Sequence, residues 1–311
     1  MIRLLWLAST HARLCLILGL LAGLLLPQVA AAMVPWLPLM VALLLTTTTL
    51  RIGHRAALGA ARDLTWGVGS VVMLQVLVPL VLFALLYLAG LHNTPAALAI
   101  ILTASAPAIT GSVNLALMMK LDAGRMMQIL VLGTAAFPVT VLPILWVLPQ
   151  LGPAEQIVMA ALRLLGVIVI AAGLGFGLRA VFFPAPTASQ TKALDGLSVL
   201  AFALVVVGLM AALNPALRSD PMLALRWALL AFAIGYGLQL VTLLVLRRSG
   251  LRDVAGVLAI GAGNRNIAIF LVALPPDIIA PLMIYIGCWQ LPMYLTPILL
   301  PRLYDWALRD D

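Results

Sequence analysis

The chain has 311 residues, 64% of them hydrophobic and only 9% charged, with a formal net charge of +8. Soluble domains carry about 25% charged residues, so this composition excludes a water-soluble globular fold. With about 20 apolar residues needed per helical crossing, the length accommodates a multi-pass membrane protein and leaves no stretch over for a soluble domain.

Divided at charged residues and at Pro or Gly breaks, the chain yields ten predicted spans: 14–32, 34–50, 65–89, 96–119, 127–149, 157–182, 194–213, 222–246, 254–274 and 278–300. Arg13, the apolar run Leu14 to Leu26 and Val29-Ala30-Ala31-Ala32 also have the make-up of a cleavable signal peptide. Kept as the first span, they complete two halves of five spans each. The four threonines Thr46 to Thr49 of the second span are expected to satisfy their hydroxyls on their own helix backbone. Gln75 is a polar residue within the third span. The fourth carries Pro107, Thr110, Ser112 and Asn114, and the fifth carries Thr134 and Pro138. Gly152-Pro153 separates the halves, giving repeats 1–150 and 151–311. Gly19-x-x-x-Gly23 and Gly173-x-x-x-Gly177 have the spacing of helix-packing motifs. Arg163 and Arg226, near helix starts, are expected to snorkel to the interface.

The ninth span holds the least expected residues. Gly261-Ala262-Gly263-Asn264-Arg265-Asn266 lies between two apolar flanks. A centred arginine costs about 2.5–3.5 kcal/mol on insertion scales, which makes it a site candidate by default. Gly261 and Gly263 weaken the helix by about 1 kcal/mol each, and Pro107 removes a backbone donor from the fourth span. Loosened backbone survives at membrane depth only where it packs in protein or lines a wet cavity. Because five is odd, the second half starts on the opposite face of the membrane. A matched pair of interrupted helices in two such halves points to a transporter site.

Positive charge is distributed as a topology signal rather than as a nucleic-acid footprint. Arg3, Arg13, Arg51, Arg55, Arg62, Lys120, Arg125, Arg179, Lys192, Arg247, Arg248, Arg252, Arg302 and Arg309 fall on the side of the N-terminus, and only Arg218 lies clearly in an opposite loop. Positive residues stay cytoplasmic, so both termini are expected there. Cys15 and Cys288 lie in apolar stretches and read as buried thiols, with neither disulfide nor metal site implied. No cofactor is expected. No histidine, Asp or Glu falls mid-span, which argues against an intramembrane enzyme and against a proton relay.

These residues give the chain a resemblance to the bile acid:sodium symporter superfamily. In the fourth span the family pattern is Pro-Gly-Gly-Thr-x-Ser-Asn with a downstream Lys-x-Asp. Pro107, Thr110 and Ser112 match it, Lys120 and Asp122 fall in register, and Val113 stands at the asparagine's place with Asn114 beside it. In the fifth span Thr134 and Pro138 match, whereas Leu130 stands where the family has a second hydroxyl. In the ninth, Glu-x-Gly-x-Gln-Asn is matched at Gly263 and Asn266, with Gly261 replacing the glutamate and Arg265 the glutamine. Gln75 corresponds to a further family glutamine, with a spacing to Pro79 one residue shorter.

The resemblance implies an all-α polytopic fold of ten helices in two inverted five-helix repeats, with helices 4 and 9 broken and crossing. It also implies a panel domain of helices 1, 2, 6 and 7 and a core domain of helices 3–5 and 8–10. The implied function is secondary transport of a small or amphipathic organic anion in a bacterial inner membrane. The departures remove oxygen ligands and add a fixed cation, which would repel sodium. Transport without sodium coupling is therefore expected, by facilitation or exchange. Arg265, Asn266, Asn264, Asn114, Thr110, Ser112, Thr134 and Gln75 are the expected binding residues, and Pro107, Gly261 and Gly263 the helix-breaking ones. Two roles fit Arg265: it binds the anion with its planar fork, or it fills the vacated cation site by bonding helix-end carbonyls. A sodium-coupled symporter with a rearranged ion site and a non-transporting membrane receptor are the alternatives.

Overall fold

The computed structural model describes residues 2–60 and 63–309, so Arg62 of the topology argument lies outside the described residues. These residues are helical almost throughout. In chain order the helices are α1 (Ile2–Thr10), α2 (Ala12–Leu25), α3 (Pro27–Ile52), α4 (His54–Ala60), α5 (Leu64–Leu88), α6 (Pro95–Ser105), α7 (Ser112–Met118), α8 (Ala123–Thr140), α9 (Leu142–Val147), α10 (Ala154–Phe182), α11 (Ala188–Ser219), α12 (Pro221–Arg248), α13 (Arg252–Gly263), α14 (Phe270–Ala273), α15 (Pro276–Leu299) and α16 (Pro301–Leu308).

Six of them, α3, α5, α10, α11, α12 and α15, are long and apolar enough to cross a membrane, and the pair α1–α2, bent by 92°, makes a seventh if counted as one span. Leucines and valines exposed along α3, α5, α10 and α12 suit lipid rather than water. The chain is a multi-pass membrane protein. The boundary predicted between the first two spans is corrected: α2 stops at Leu25, and residues 27–33 start the next helix. Pro27 lacks the N–H that would continue α2 but fits a first helical turn. The fourth, fifth and ninth predicted spans are each assembled from shorter helices rather than from one long one.

The chain forms two compact units, each drawing segments from both halves of the sequence. One comprises Met1–Gly59, Arg163–Ala224 and Ala268–Gly287. Within it α1, α2 and α3 pack on α11. Gly19 and Gly23 face the α11 backbone at Ala203 and Val207, where a Cβ would lie 2.8 Å and 2.7 Å from the carbonyl oxygens. That small-residue motif is a packing face. Gly173 and Gly177 have nothing within 4 Å, and it is Gly175 between them that admits the Thr49 side chain. Thr46, Thr47, Thr48 and Thr49 each donate to a carbonyl three or four residues back, and Thr49 also reaches Ala171 O at 3.2 Å. Arg51 and Asp195 pair at 2.7 Å in the same unit.

The other unit comprises Ala60–Leu162, Leu225–Ile267 and Cys288–Asp311. Side-chain caps start three of its helices. Asp63 accepts from Trp66 N, Thr94 from Ala97 N and Asp122 from Arg125 N. Lys120, with φ of 57°, closes α7 as a left-handed residue, and Leu121 N returns to Ala116 O at 2.8 Å. The Lys-x-Asp pair thus builds the turn from α7 into α8.

Candidate functional site: two chain breaks closed around an arginine

Both interruptions, residues 106–111 and 264–266, lie in the second unit, and they pair with each other. Pro107 disfavours helical geometry at the residue before it, and Ala106 is extended, with φ of −59° and ψ of 151°. Ile109 N then donates to Asn264 O at 3.0 Å, and Asn266 N to Pro107 O at 2.8 Å. These two bonds form an antiparallel bridge between Ala108 and Arg265. Backbone groups released by one break are satisfied by the other, as an apolar surrounding demands.

The Arg265 side chain lies behind the bridge, only 1% exposed. Its Nε donates to Ala262 O at 3.0 Å, one terminal nitrogen to Ala106 O at 2.9 Å and the other to Leu74 O at 2.8 Å. Each carbonyl is free for a stated reason. Ala262 O would normally accept from Asn266 N, which is engaged by Pro107. Ala106 follows the last residue of α6. Leu74 lies in a π-helical turn, Met73–Leu77, where Val78 N reaches back five residues to Met73 O. Pro79, next in line, has no N–H to offer. Two of the three acceptors end half-helices, where the dipole favours a cation. The Trp289 indole donates to Arg265 O at 2.9 Å and pins the main chain.

Of the two roles open to Arg265, this geometry favours the built-in cation. Asn264 is buried and equally occupied: its amide nitrogen donates to Ile260 O at 3.1 Å, and its Oδ1 accepts from Thr296 Oγ1 at 3.4 Å. Gln75 is buried within the π turn, accepts from Thr140 Oγ1 at 2.7 Å, and packs on Gly133. Ser112 is fully buried just past the first break, and its hydroxyl has no hydrogen-bond partner. Thr110 is buried beside it, whereas Asn266 and Thr134 are half-buried and Asn114 is exposed. Pro107, Thr110, Ser112, Asn264, Arg265 and Asn266 therefore meet at the paired breaks. Gln75 joins them through the neighbouring Leu74 carbonyl.

The helix-breaking role expected of Gly261 and Gly263 is corrected. Both belong to the last turns of α13, and the break begins at Asn264. Their small size serves packing. A side chain at Gly263 would collide with Gly235 O and Gln239, and one at Gly261 would press on Leu74 Cδ1 at 3.2 Å. Glycine's weak helix preference is overridden by the contacts its size permits.

Sequence reasoning missed a second polar set. Tyr304 donates to Gln239 Oε1 at 2.8 Å, Gln239 Nε2 to Thr296 Oγ1 at 3.3 Å, and the Thr296 hydroxyl is shared between Pro292 O at 2.9 Å and Asn264 Oδ1 at 3.4 Å. All four side chains are buried. Burial lifts the Tyr304 phenol pKa well above its ordinary value, which keeps it a donor. Gln239 and Thr296, polar residues inside apolar spans, were the signal that could have found this set.

No protein-family model matches the chain, and no curated protein is detectably similar to it.

Proposed function

We propose that the protein is a secondary membrane transporter that moves a small or amphipathic organic anion by alternating access, without sodium coupling. The observation that carries this reading is the pair of interrupted helices, one in each half of the chain, bonded to each other around a buried arginine. Discontinuous helices meeting in this way are the recurring site architecture of carriers built from inverted repeats. Ten spans in two inverted five-helix repeats are proposed accordingly, with each broken pair serving as one span. That each compact unit gathers segments from both halves supports the same reading.

The case for an anion comes from charge. Arg265 is bonded to neutral carbonyls, and α5, α6, α7 and residues 254–276 contain no Asp or Glu. The guanidinium is hydrogen-bonded but not neutralised, and its field is weakly screened in an apolar surrounding. The same charge occupies the place where a coupling cation would bind the helix ends. A facilitator or exchanger of an anionic solute is the mechanism most consistent with both facts.

The test is counterflow in proteoliposomes loaded with unlabelled aromatic or steroidal carboxylates. Saturable uptake of the labelled acid at equal rates in sodium and potassium buffers is expected. Binding without flux would make the protein a receptor, and a sodium-dependent rate would restore the coupled symporter.

A further inference from the structure

α16 begins two residues after the end of α15, so it stands where a chain leaving the bilayer meets the headgroup layer. It is two turns long and two-sided. Tyr304 and Ala307 are buried, and Leu308 packs near Gly256 of α13. Arg302, Trp306 and Arg309, spaced i, i+4 and i+7, form an exposed stripe, and Trp306 is 52% exposed. The Trp306 ring is held in place: the Arg247 guanidinium lies 4.8 Å from its centroid and donates to Trp306 O at 2.9 Å. Arg252 donates to Arg309 O at 3.5 Å, and Arg248 is exposed next to Arg247. Among the described residues Asp305 on α16 and Asp253 on α13 are the exposed acids of this corner, and Asp310 and Asp311 follow Arg309 in the sequence.

We propose that this face docks on acidic phospholipid headgroups. An indole prefers the membrane–water boundary, where its ring is shielded and its N–H is wet. Arginine forks match phosphate oxygens in pairs, and each basic residue near an acidic surface strengthens attachment about fivefold. Trp306 flanked by Arg302 and Arg309 presents both chemistries on one stripe. The chain already lies in a membrane, so the ligand is at hand.

Docking also has a route inward. Tyr304, on the opposite side of α16 from the stripe, starts the buried series through Gln239 and Thr296 to Asn264. Asn264 is the first residue of the second break, and its carbonyl takes Ile109 N. Gln239 Nε2 is shared with Gly235 O and the Thr296 hydroxyl with Pro292 O, whereas Gln239 Oε1 takes its hydrogen bond from Tyr304, so a shift of α16 leaves that buried oxygen without it. A headgroup that steadies α16 therefore steadies the paired breaks. The proposal stands on the membrane placement alone and does not depend on transport.

The experiment uses the purified full-length protein in detergent, titrated with brominated phosphatidylglycerol or brominated phosphatidylcholine. Quenching of indole fluorescence is read as the difference between wild type and Trp306→Phe, and melting temperature is followed in parallel. Phosphatidylglycerol is expected to quench the Trp306 component and to raise the melting temperature, and Arg302→Gln/Arg309→Gln to weaken both by about 25-fold in lipid concentration. Equal quenching by phosphatidylcholine, or an unaltered titration in the double variant, would overturn the proposal. An equal effect of soluble glycerol 1-phosphate would assign the site to free phosphate and overturn the lipid partner. Tyr304→Phe is expected to keep the quenching but lose at least half of the lipid-induced rise in melting temperature. A full rise in that variant overturns the inward route.

Discussion

Arg265 shows how one residue can be conspicuous in a sequence and yet ambiguous in role. Its cost in an apolar span identifies it at once. What it does depends on carbonyls 159 and 191 residues away, at Ala106 and Leu74, and no side-chain pattern reveals a main-chain acceptor. Truncating it leaves three buried acceptors without a donor, at about 1–3 kcal/mol each and not strictly additive. Arg265→Ala is therefore expected to lower stability by about 3 kcal/mol or more, which is roughly 5 °C or more in melting temperature for a chain of this size. Arg265→Lys is expected to recover only part of this, because a compact ammonium cannot span a three-point fork. An alanine variant that melts with the wild type would refute the built-in-cation role. The wild type is expected to melt at the same temperature in sodium and potassium chloride, because ligand stabilisation requires a vacant site. A sodium-specific rise measured by differential scanning fluorimetry would contradict it. By contrast, the four threonines of α3 were legible from sequence because their partners lie three or four residues away.

At the scale of elements, Pro107 and the Gly19/Gly23 packing motif were read correctly, whereas Pro27, Gly261 and Gly263 were not. Pro107 interrupts α6 for local steric reasons that any sequence displays. The π turn at Met73–Leu77 is equally local in cause, since Pro79 withholds an N–H, yet its use becomes apparent only once Arg265 is placed against Leu74. Gly261 and Gly263 were misassigned because helix propensity is a weak prior that tertiary packing overrides. The two kinds of glycine separate cleanly on substitution. Gly263→Ala drives a methyl into Gly235 O and Gln239, and is expected to cost about 1–3 kcal/mol as overpacking. Gly177→Ala meets nothing within 4 Å and is expected to be neutral or stabilising by up to about 1 kcal/mol. Melting curves of the two variants check both. A Gly263→Ala protein as stable as wild type would remove the packing explanation.

For the whole molecule the decisive quantity is the number of crossings. Among the described residues six helices, or seven with the bent pair, pass as single spans by length and composition, so an inverted repeat depends on the broken segments crossing too. Consider residues 95–118. α6 has 11 residues and α7 has 7, about 17 Å and 11 Å long at 1.5 Å per residue. Neither alone spans a hydrocarbon core of about 30 Å, but joined through the non-helical residues 106–111 they reach across it. If they do, Asn93 and Lys120 lie on opposite faces of the membrane, with Lys120 on the positive, cytoplasmic one. If the chain instead turns back at Pro107, both lie on the same face, the two halves no longer invert, and the carrier architecture fails. Single cysteines at Asn93 and Lys120, in a protein with Cys15 and Cys288 replaced by alanine, distinguish these cases with a membrane-impermeant maleimide. Asn93→Cys is expected to label in intact cells, and Lys120→Cys only after permeabilisation. Lys120 already holds a left-handed φ with a side chain in place, so cysteine there adds no new backbone demand. Labelling of both positions from the same side would leave the paired breaks as a re-entrant feature and the inverted repeat without support.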